Sequence, residues 1–511
     1  MKISEKVIHN TLFSSFGYAW WVLVSLFLTP YIIAKVGLEG YGLFVVLEAA
    51  LGYVTVLDIT GINISLVKFV SEHHARKDFD ALGRLVRMAF VYYLFFFGAV
   101  TLCVWFLRRP LLGLFRIDAA WLSVAATILA GLLAVMFLRG VFGILKTVLF
   151  GLQRMDIENG ILIAAVTANI GFTVYFLEAG YGVAGVVLAS FLMVAFAACL
   201  RIVFVARLLP RAVPKGPFFD ARLFGSALLY GIKMQVIAFA ELINKGVDKV
   251  LLGALAGVTL GGLYEIGAKV ANITNLLPAL FLPSVLPAAS ELHVMRDERR
   301  LEDLYVRGTK YMMMLLAPLC CFAVLHAGLI IRAWMGIMAR PESVLAVQFL
   351  TLAYGVYLVT SVGRYMARGI GVLGFELGGS ILLAALNILL SFALIRRIGF
   401  VGALWGTAAA ALTGSLWFMA RFHRYLKFSV ARFLGRSVLG PLAASLLAAA
   451  VTFFMPARLA GQGGRLVLFG RLFFDGAVFT VLYVALVRGF RLVDAYEREV
   501  FVHALRKFVK R

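Results

Sequence analysis

The chain is predicted to be an all-α integral membrane protein of about fourteen transmembrane helices, built as two pseudo-symmetric six-helix lobes plus two C-terminal helices, with both termini cytoplasmic. Three observations predict this. Apolar runs follow one another every 30 to 40 residues with no polar stretch long enough for a soluble domain, lysine and arginine alternate in density between successive connections, and the sequence repeats itself at about 220 residues.

Composition sets the class. Of 511 residues 62% are hydrophobic and 15% charged, against roughly 45–50% and 25% in soluble domains. A water-soluble fold of this size cannot hide that much apolar surface. The net charge of +23 would point to nucleic acid in a soluble protein, but here the basic residues sit in short loops between apolar runs, so no nucleic-acid partner is expected. Cys103, Cys199, Cys320 and Cys321 all lie within apolar runs without metal-ligand spacing and read as packing residues.

Crossing ~30 Å of hydrocarbon takes about 20 apolar residues. On that measure helices are expected near 11–34, 41–67, 88–107, 119–145, 159–177 and 182–200, then near 223–254, 259–288, 311–331, 343–363, 377–395 and 400–420, and finally near 437–455 and 466–487. Met1 to Asn10 carries Lys2 and Lys6 ahead of an apolar segment without a cleavage site, which reads as a first spanning helix. With the N-terminus inside, inner connections hold 33 of the 49 lysines and arginines, outer connections 11, and spans five. Basic residues collect on the cytoplasmic side, so both termini are expected there.

The repeat divides the chain. At an offset of 220, Gly37, Gly42 and Leu43 fall on Gly257, Gly262 and Leu263; at 219, Ser71-Glu72, His74 and Asp78 fall on Ser290-Glu291, His293 and Asp297; Ile161-Leu162 meets Ile381-Leu382. An even number of helices between the copies gives both the same orientation, as in transporters with parallel repeats. The expected parts are an N-lobe at 1–210, a C-lobe at 211–425, two further helices in 426–489 and a tail at 490–511. The tail places Val493, Tyr496, Val500, Ala504 and Phe508 on one stripe and Arg498, Arg506, Lys507, Lys510 and Arg511 near the other, suiting anionic membrane lipids or a solvated terminal helix.

Pro30-Tyr31 through Gly37 with Gly40-Tyr41-Gly42, Gly151-Leu152-Gln153-Arg154, and Val247-Asp248-Lys249 through Gly253 with Gly262-Leu263-Tyr264 carry a family resemblance. The chain resembles the polysaccharide transporter family of the multidrug/oligosaccharidyl-lipid/polysaccharide exporter superfamily, the Wzx-type O-antigen flippases. The resemblance implies a multi-pass protein of the bacterial cytoplasmic membrane that moves undecaprenyl-diphosphate-linked sugar repeat units from the inner to the outer leaflet, beside other polysaccharide-assembly proteins. Lipid II flippases and cation-coupled multidrug exporters of the same superfamily are the alternatives.

Charges inside spans are costly and mark functional candidates. Glu241, Lys245 and Asp248 share one face of the seventh helix with Lys249 beside them and Lys233 earlier; Glu265, Lys269 and Asn272 follow in the eighth, and Asp58 and Asn63 stand in the second. Arg139, Lys233, Lys245, Lys249, Lys269, Asn63 and Asn272 are the candidate substrate-binding residues, because a diphosphate needs cations. Asp58, Glu241 and Asp248 are candidates for coupling to protons or sodium. The pairs Glu241–Lys245 and Glu265–Lys269 read equally well as internal neutralisation. Pro30, Pro278, Pro283 and Pro287 permit kinks. No phosphate-cradling glycine loop, nucleophile constellation or metal cluster stands in the sequence, and the longest outer connection, 107–119, is too short to build a catalytic site, so neither an enzyme nor an organic cofactor is expected.

Overall fold

Hydrocarbon offers peptide groups no hydrogen-bond partner, so a chain immersed in it satisfies them within helices. In a computed structural model, which describes residues 3–55, 62–209, 225, 246–454 and 464–493 (backbone alone at 3–15, 62–64, 276–281 and 283), every regular element is helical. In chain order these are α1 Ile3–Thr55, α2 Ile62–Ala75, α3 Phe79–Phe106, α4 Arg108–Gly113, α5 Leu122–Gly151, α6 Met155–Glu178, α7 Gly182–Leu208, α8 at 246–255, α9 Val258–Ala271 and α10 Leu276–Val294. There follow α11 Glu298–Leu325, α12 Ala327–Met335, α13 Pro341–Val359, α14 Ser361–Gly369, α15 Leu373–Ile398, α16 Phe400–Leu426, α17 Val430–Phe433, α18 Gly440–Phe454 and α19 Arg465–Gly489.

Eleven stretches among the described residues are long and apolar enough to cross a membrane. Large apolar side chains such as Phe27, Phe95, Phe106 and Phe473 point outward from them, which water would penalise and lipid does not. The first stretch, Phe16–Thr55, joins most of the expected helix 11–34 to the first part of the expected helix 41–67 at Gly37, whose φ of 77° is not helical, with Pro30 inside the helix. The expected span 223–254 lies mostly outside the described residues. The expected span 259–288 is two helices, α9 and α10, separated by a tight turn at Asn272–Asn275, and Pro283 and Pro287 lie within α10 without interrupting it.

Contacts group the described residues into two compact units, one within Met1–Ile266 and Ala384–Thr407, the other within Gly267–Leu383 and Ala408–Arg511. In the first, α1 to α5 and α7 pack around Leu43, Leu82, Tyr93, Ile128, Leu133 and Ile144. In the second, α10, α11, α14 and α16 close on Tyr305, Met366, Phe418, Phe422 and Phe433. The Tyr305 ring stacks 4.6 Å from that of Phe433, and its hydroxyl lies 3.0 Å from His423 Nε2. All four cysteines are free, and Cys103 and Cys199 are exposed on helix surfaces, a correction to their reading as packing residues.

Two connections that the repeat aligns share their backbone geometry. The connection after α2 turns at Lys77 with φ 58°, and Asp78 then caps α3 by accepting from Ala81 N–H at 3.0 Å. The connection after α10 turns at Arg296 with φ 55°, and Asp297 caps α11 by accepting from Arg300 N–H at 3.0 Å.

Candidate functional site

An aspartate within an apolar helix must be neutralised or hydrogen-bonded, because an ionised carboxylate loses several kcal/mol of hydration on burial. Asp248, on α8, is 1% exposed. Its Oδ2 accepts from the Tyr264 hydroxyl at 2.9 Å, Thr407 Oγ1 at 2.9 Å and Asn387 Nδ2 at 3.2 Å, and its Oδ1 accepts from Ser391 Oγ at 2.7 Å. Four donors at roughly 1.5–3 kcal/mol each offset that cost.

The backbone brings these groups together for local reasons. Gly257, with φ 110°, ends the turn after α8 and reverses the chain, so that Tyr264 on α9 comes back alongside Asp248. The α15–α16 hairpin turns at Gly399 with φ 62°. Gly402 lies against the Leu394 backbone and Gly406 against Ser391, where any Cβ would collide. Two glycines four residues apart therefore let the helices touch, and the hydroxyls of Ser391 and Thr407 reach one carboxylate.

Proton counting shows what the cluster suits. Thr407 Oγ1 lies 2.9 Å from both Asp248 Oδ2 and the Ala403 carbonyl, and its single proton serves one of them at a time. Ser391 Oγ is shared in the same way between Asp248 Oδ1 and Asn387 Oδ1, the latter 3.1 Å away. Oxygen acceptors thus outnumber the hydroxyl protons available to them. A set of oxygens with one carboxylate is what a hard monovalent cation, or one extra proton, would complete.

Beside this cluster Lys249 Nζ lies 2.7 Å from Glu265 Oε2, so Glu265 takes a partner from α8. Lys269 is half-buried near the end of α9, and Asn272 is exposed in the following turn, where its Oδ1 accepts from Asn275 Nδ2 at 3.2 Å. Arg139 is exposed on α5. Asp58, Lys233, Glu241 and Lys245 lie outside the described residues, as do the side chain of Asn63 and the tail beyond Val493. Of the predicted residues, Asp248 stands in the cluster and Lys249 next to it. Tyr264, Asn387, Ser391 and Thr407 escaped notice as site residues because hydropathy passes over neutral polar groups; the i,i+4 pair Asn387 and Ser391 in an apolar run was the available signal.

The family model for polysaccharide biosynthesis proteins matches residues 7–293. The chain belongs to the polysaccharide biosynthesis protein family. No curated protein matches this family member in sequence. Among solved structures, it is similar to the lipid II flippase MurJ in an inward closed conformation, with a TM-score of 0.65 at 15% identity over 94% of this chain and 99% of that one. It is also similar to an inward-facing multidrug resistance MATE family transporter of the MOP superfamily (0.58, 16%, 82% of this chain and 95% of that one). A third similarity is to a MOP superfamily transporter from Pyrococcus furiosus (0.55, 15%, 83% and 96%). This polysaccharide biosynthesis family protein is a multi-pass membrane protein with the MOP transporter fold.

Proposed function

We propose that the protein is a flippase that carries an undecaprenyl-diphosphate-linked oligosaccharide from the inner to the outer leaflet of the bacterial cytoplasmic membrane, coupled to sodium or protons at Asp248. Family membership supports a polysaccharide cargo, and the Asp248 cluster is the observation that carries the coupling. A cation entering among Asp248, Asn387, Ser391 and Thr407 would draw α8, α15 and α16 together, and its release would loosen them. That difference is what ion coupling of alternating access requires. In this reading fourteen helices form lobes at 1–210 and 211–425 with helices at 426–489 added, both termini are cytoplasmic, and Arg139, Lys233, Lys245, Lys249, Lys269, Asn63 and Asn272 receive the anionic headgroup. The protein performs no covalent chemistry.

Similarity in fold to MurJ over 94% of the chain favours lipid II as the second reading, since its carrier also bears a diphosphate. Deleting the gene in its host and extracting lipid-linked intermediates separates the two. Accumulated cytoplasmic-face oligosaccharide repeat units support the first, accumulated lipid II supports the second, and unchanged pools with altered drug tolerance would sink both. For the coupling, Asp248→Asn is expected to lower transport at least tenfold in proteoliposomes and to abolish its dependence on the cation gradient. A variant that keeps full gradient dependence would remove Asp248 from the mechanism.

A further inference from the structure

A buried guanidinium without a counter-charge among the described residues stands in the second unit. Arg364, on α14, is 2% exposed. Its Nε donates to Thr360 Oγ1 at 3.0 Å, and its Cζ lies 4.1 Å from the centre of the Tyr357 ring and 5.3 Å from that of Phe418. Nη1 and Nη2 are both buried and have no hydrogen-bond partner among the described residues. The next arginine along the helix, Arg368, holds Glu376 at 2.7 Å, so that carboxylate is taken.

Packing does not demand a cation here. At the 220-residue offset Gly143 and Gly151 fall on Gly363 and Gly371, and between them Ile144 falls on Arg364. Ile144 is fully buried in the core of its own unit, so an aliphatic side chain fills this helix position in the first copy. Contacts with two aromatic rings and one hydroxyl compensate only part of the hydration that an arginine gives up.

We propose that Arg364 binds a phosphate-type oxyanion through Nη1 and Nη2. With Nε anchored and the plane of the guanidinium held by Tyr357, the fork presents two parallel N–H groups, the geometry that takes two oxygens of a tetrahedral phosphate. Two buried hydroxyls without partners, Thr309 on α11 and Ser415 on α16, stand one helical turn from Tyr305 and Phe418, whose rings both abut Gly363. The anion comes either from a lipid headgroup or from free phosphate. This assignment does not rest on the coupling at Asp248.

Thermal unfolding of the purified full-length protein tests it. In detergent, sodium phosphate or pyrophosphate is compared with sodium chloride at equal sodium concentration and ionic strength, so that a sodium site contributes equally to every arm. In nanodiscs, undecaprenyl phosphate is added to phosphatidylcholine. The wild-type midpoint should rise with oxyanion. Arg364→Met should match or exceed the wild type without oxyanion and should show at least a tenfold weaker response, with Arg364→Lys in between. A response to undecaprenyl phosphate alone identifies a lipid headgroup, and a response to soluble phosphate identifies the free anion. An Arg364→Met protein that responds like the wild type overturns the proposal, as does a wild type that responds to neither. Should the variant not accumulate, the side-chain nitrogen resonances of labelled arginine in the wild type decide: a shift on adding oxyanion supports the site, and unmoved resonances reject it.

Discussion

The two copies of the repeat solve the same packing problem with different chemistry. In the first copy Glu158 and Arg201 form a buried fork, with Arg201 Nη2 to Glu158 Oε1 at 2.6 Å and Nε to Oε2 at 2.9 Å, and Ala197 lies between the helices. At the offset of 220 the same three positions hold Gly378, Arg421 and Trp417. There Trp417 packs directly on Gly378, and Arg421 sits over the indole at 5.6 Å, exposed. An ion pair that must stay paired is exchanged for an aromatic ring on a glycine, and the arginine left behind is an exposed side chain resting on that ring. Position 144 against 364 shows the reverse exchange, a buried isoleucine facing a buried arginine. Apolar filling is thus interchangeable between copies, whereas a buried charge commits its neighbourhood to a partner.

That difference can be broken at its strongest point first. Ile144→Arg places a guanidinium in a core without a counter-charge, and the expected loss is roughly 3–5 kcal/mol or more, read as failure to accumulate or as a large drop in denaturant midpoint. A well-folded Ile144→Arg protein would mean that the first unit tolerates what the second was inferred to need a ligand for. Next in size, Glu158→Ala should cost about 3 kcal/mol because Arg201 is left largely buried and unpaired, while Arg421→Ala should stay within about 0.5 kcal/mol. Equal losses at the two arginine sites would erase the distinction. Smallest is the feature the copies share: Asp78→Ala and Asp297→Ala each remove one cap and should each cost about 1 kcal/mol. Unequal values in matched unfolding experiments would show that the two turns, alike in geometry, carry different loads.

The exchange at 158 and 378 also explains which parts of the site were legible in sequence. Asp248 and Lys249 stood out because a charge in an apolar run is expensive wherever it points. Their partners did not. The i,i+4 rule offered Lys245 to Glu241 and Lys269 to Glu265, whereas Glu265 meets Lys249 across the Gly257 turn, since the helix reversal creates a neighbour that linear spacing does not contain. Arg364 falls just past the expected span 343–363, among the basic residues before the span 377–395, and only burial beneath Tyr357 and Phe418 sets it apart from Arg368. Gly37, between the expected spans 11–34 and 41–67, is where the helix breaks, while Pro30 lies inside it, because proline within a membrane helix is accommodated and a positive φ is not helical at all.

By itself the sequence determined the class of molecule, an all-helical multi-span membrane protein, because apolar length is a sum over many residues that no single contact can overturn. Tertiary structure decided the chemistry at Asp248. Tyr264, Asn387, Ser391 and Thr407 lie 16 to 159 residues away along the chain, and they meet one carboxylate because Gly257 reverses the backbone and Gly402 and Gly406 let two helices touch. Neutral hydroxyls and amides carry little weight in hydropathy, yet when converged in a buried site they supply the hydrogen bonds that its carboxylate needs.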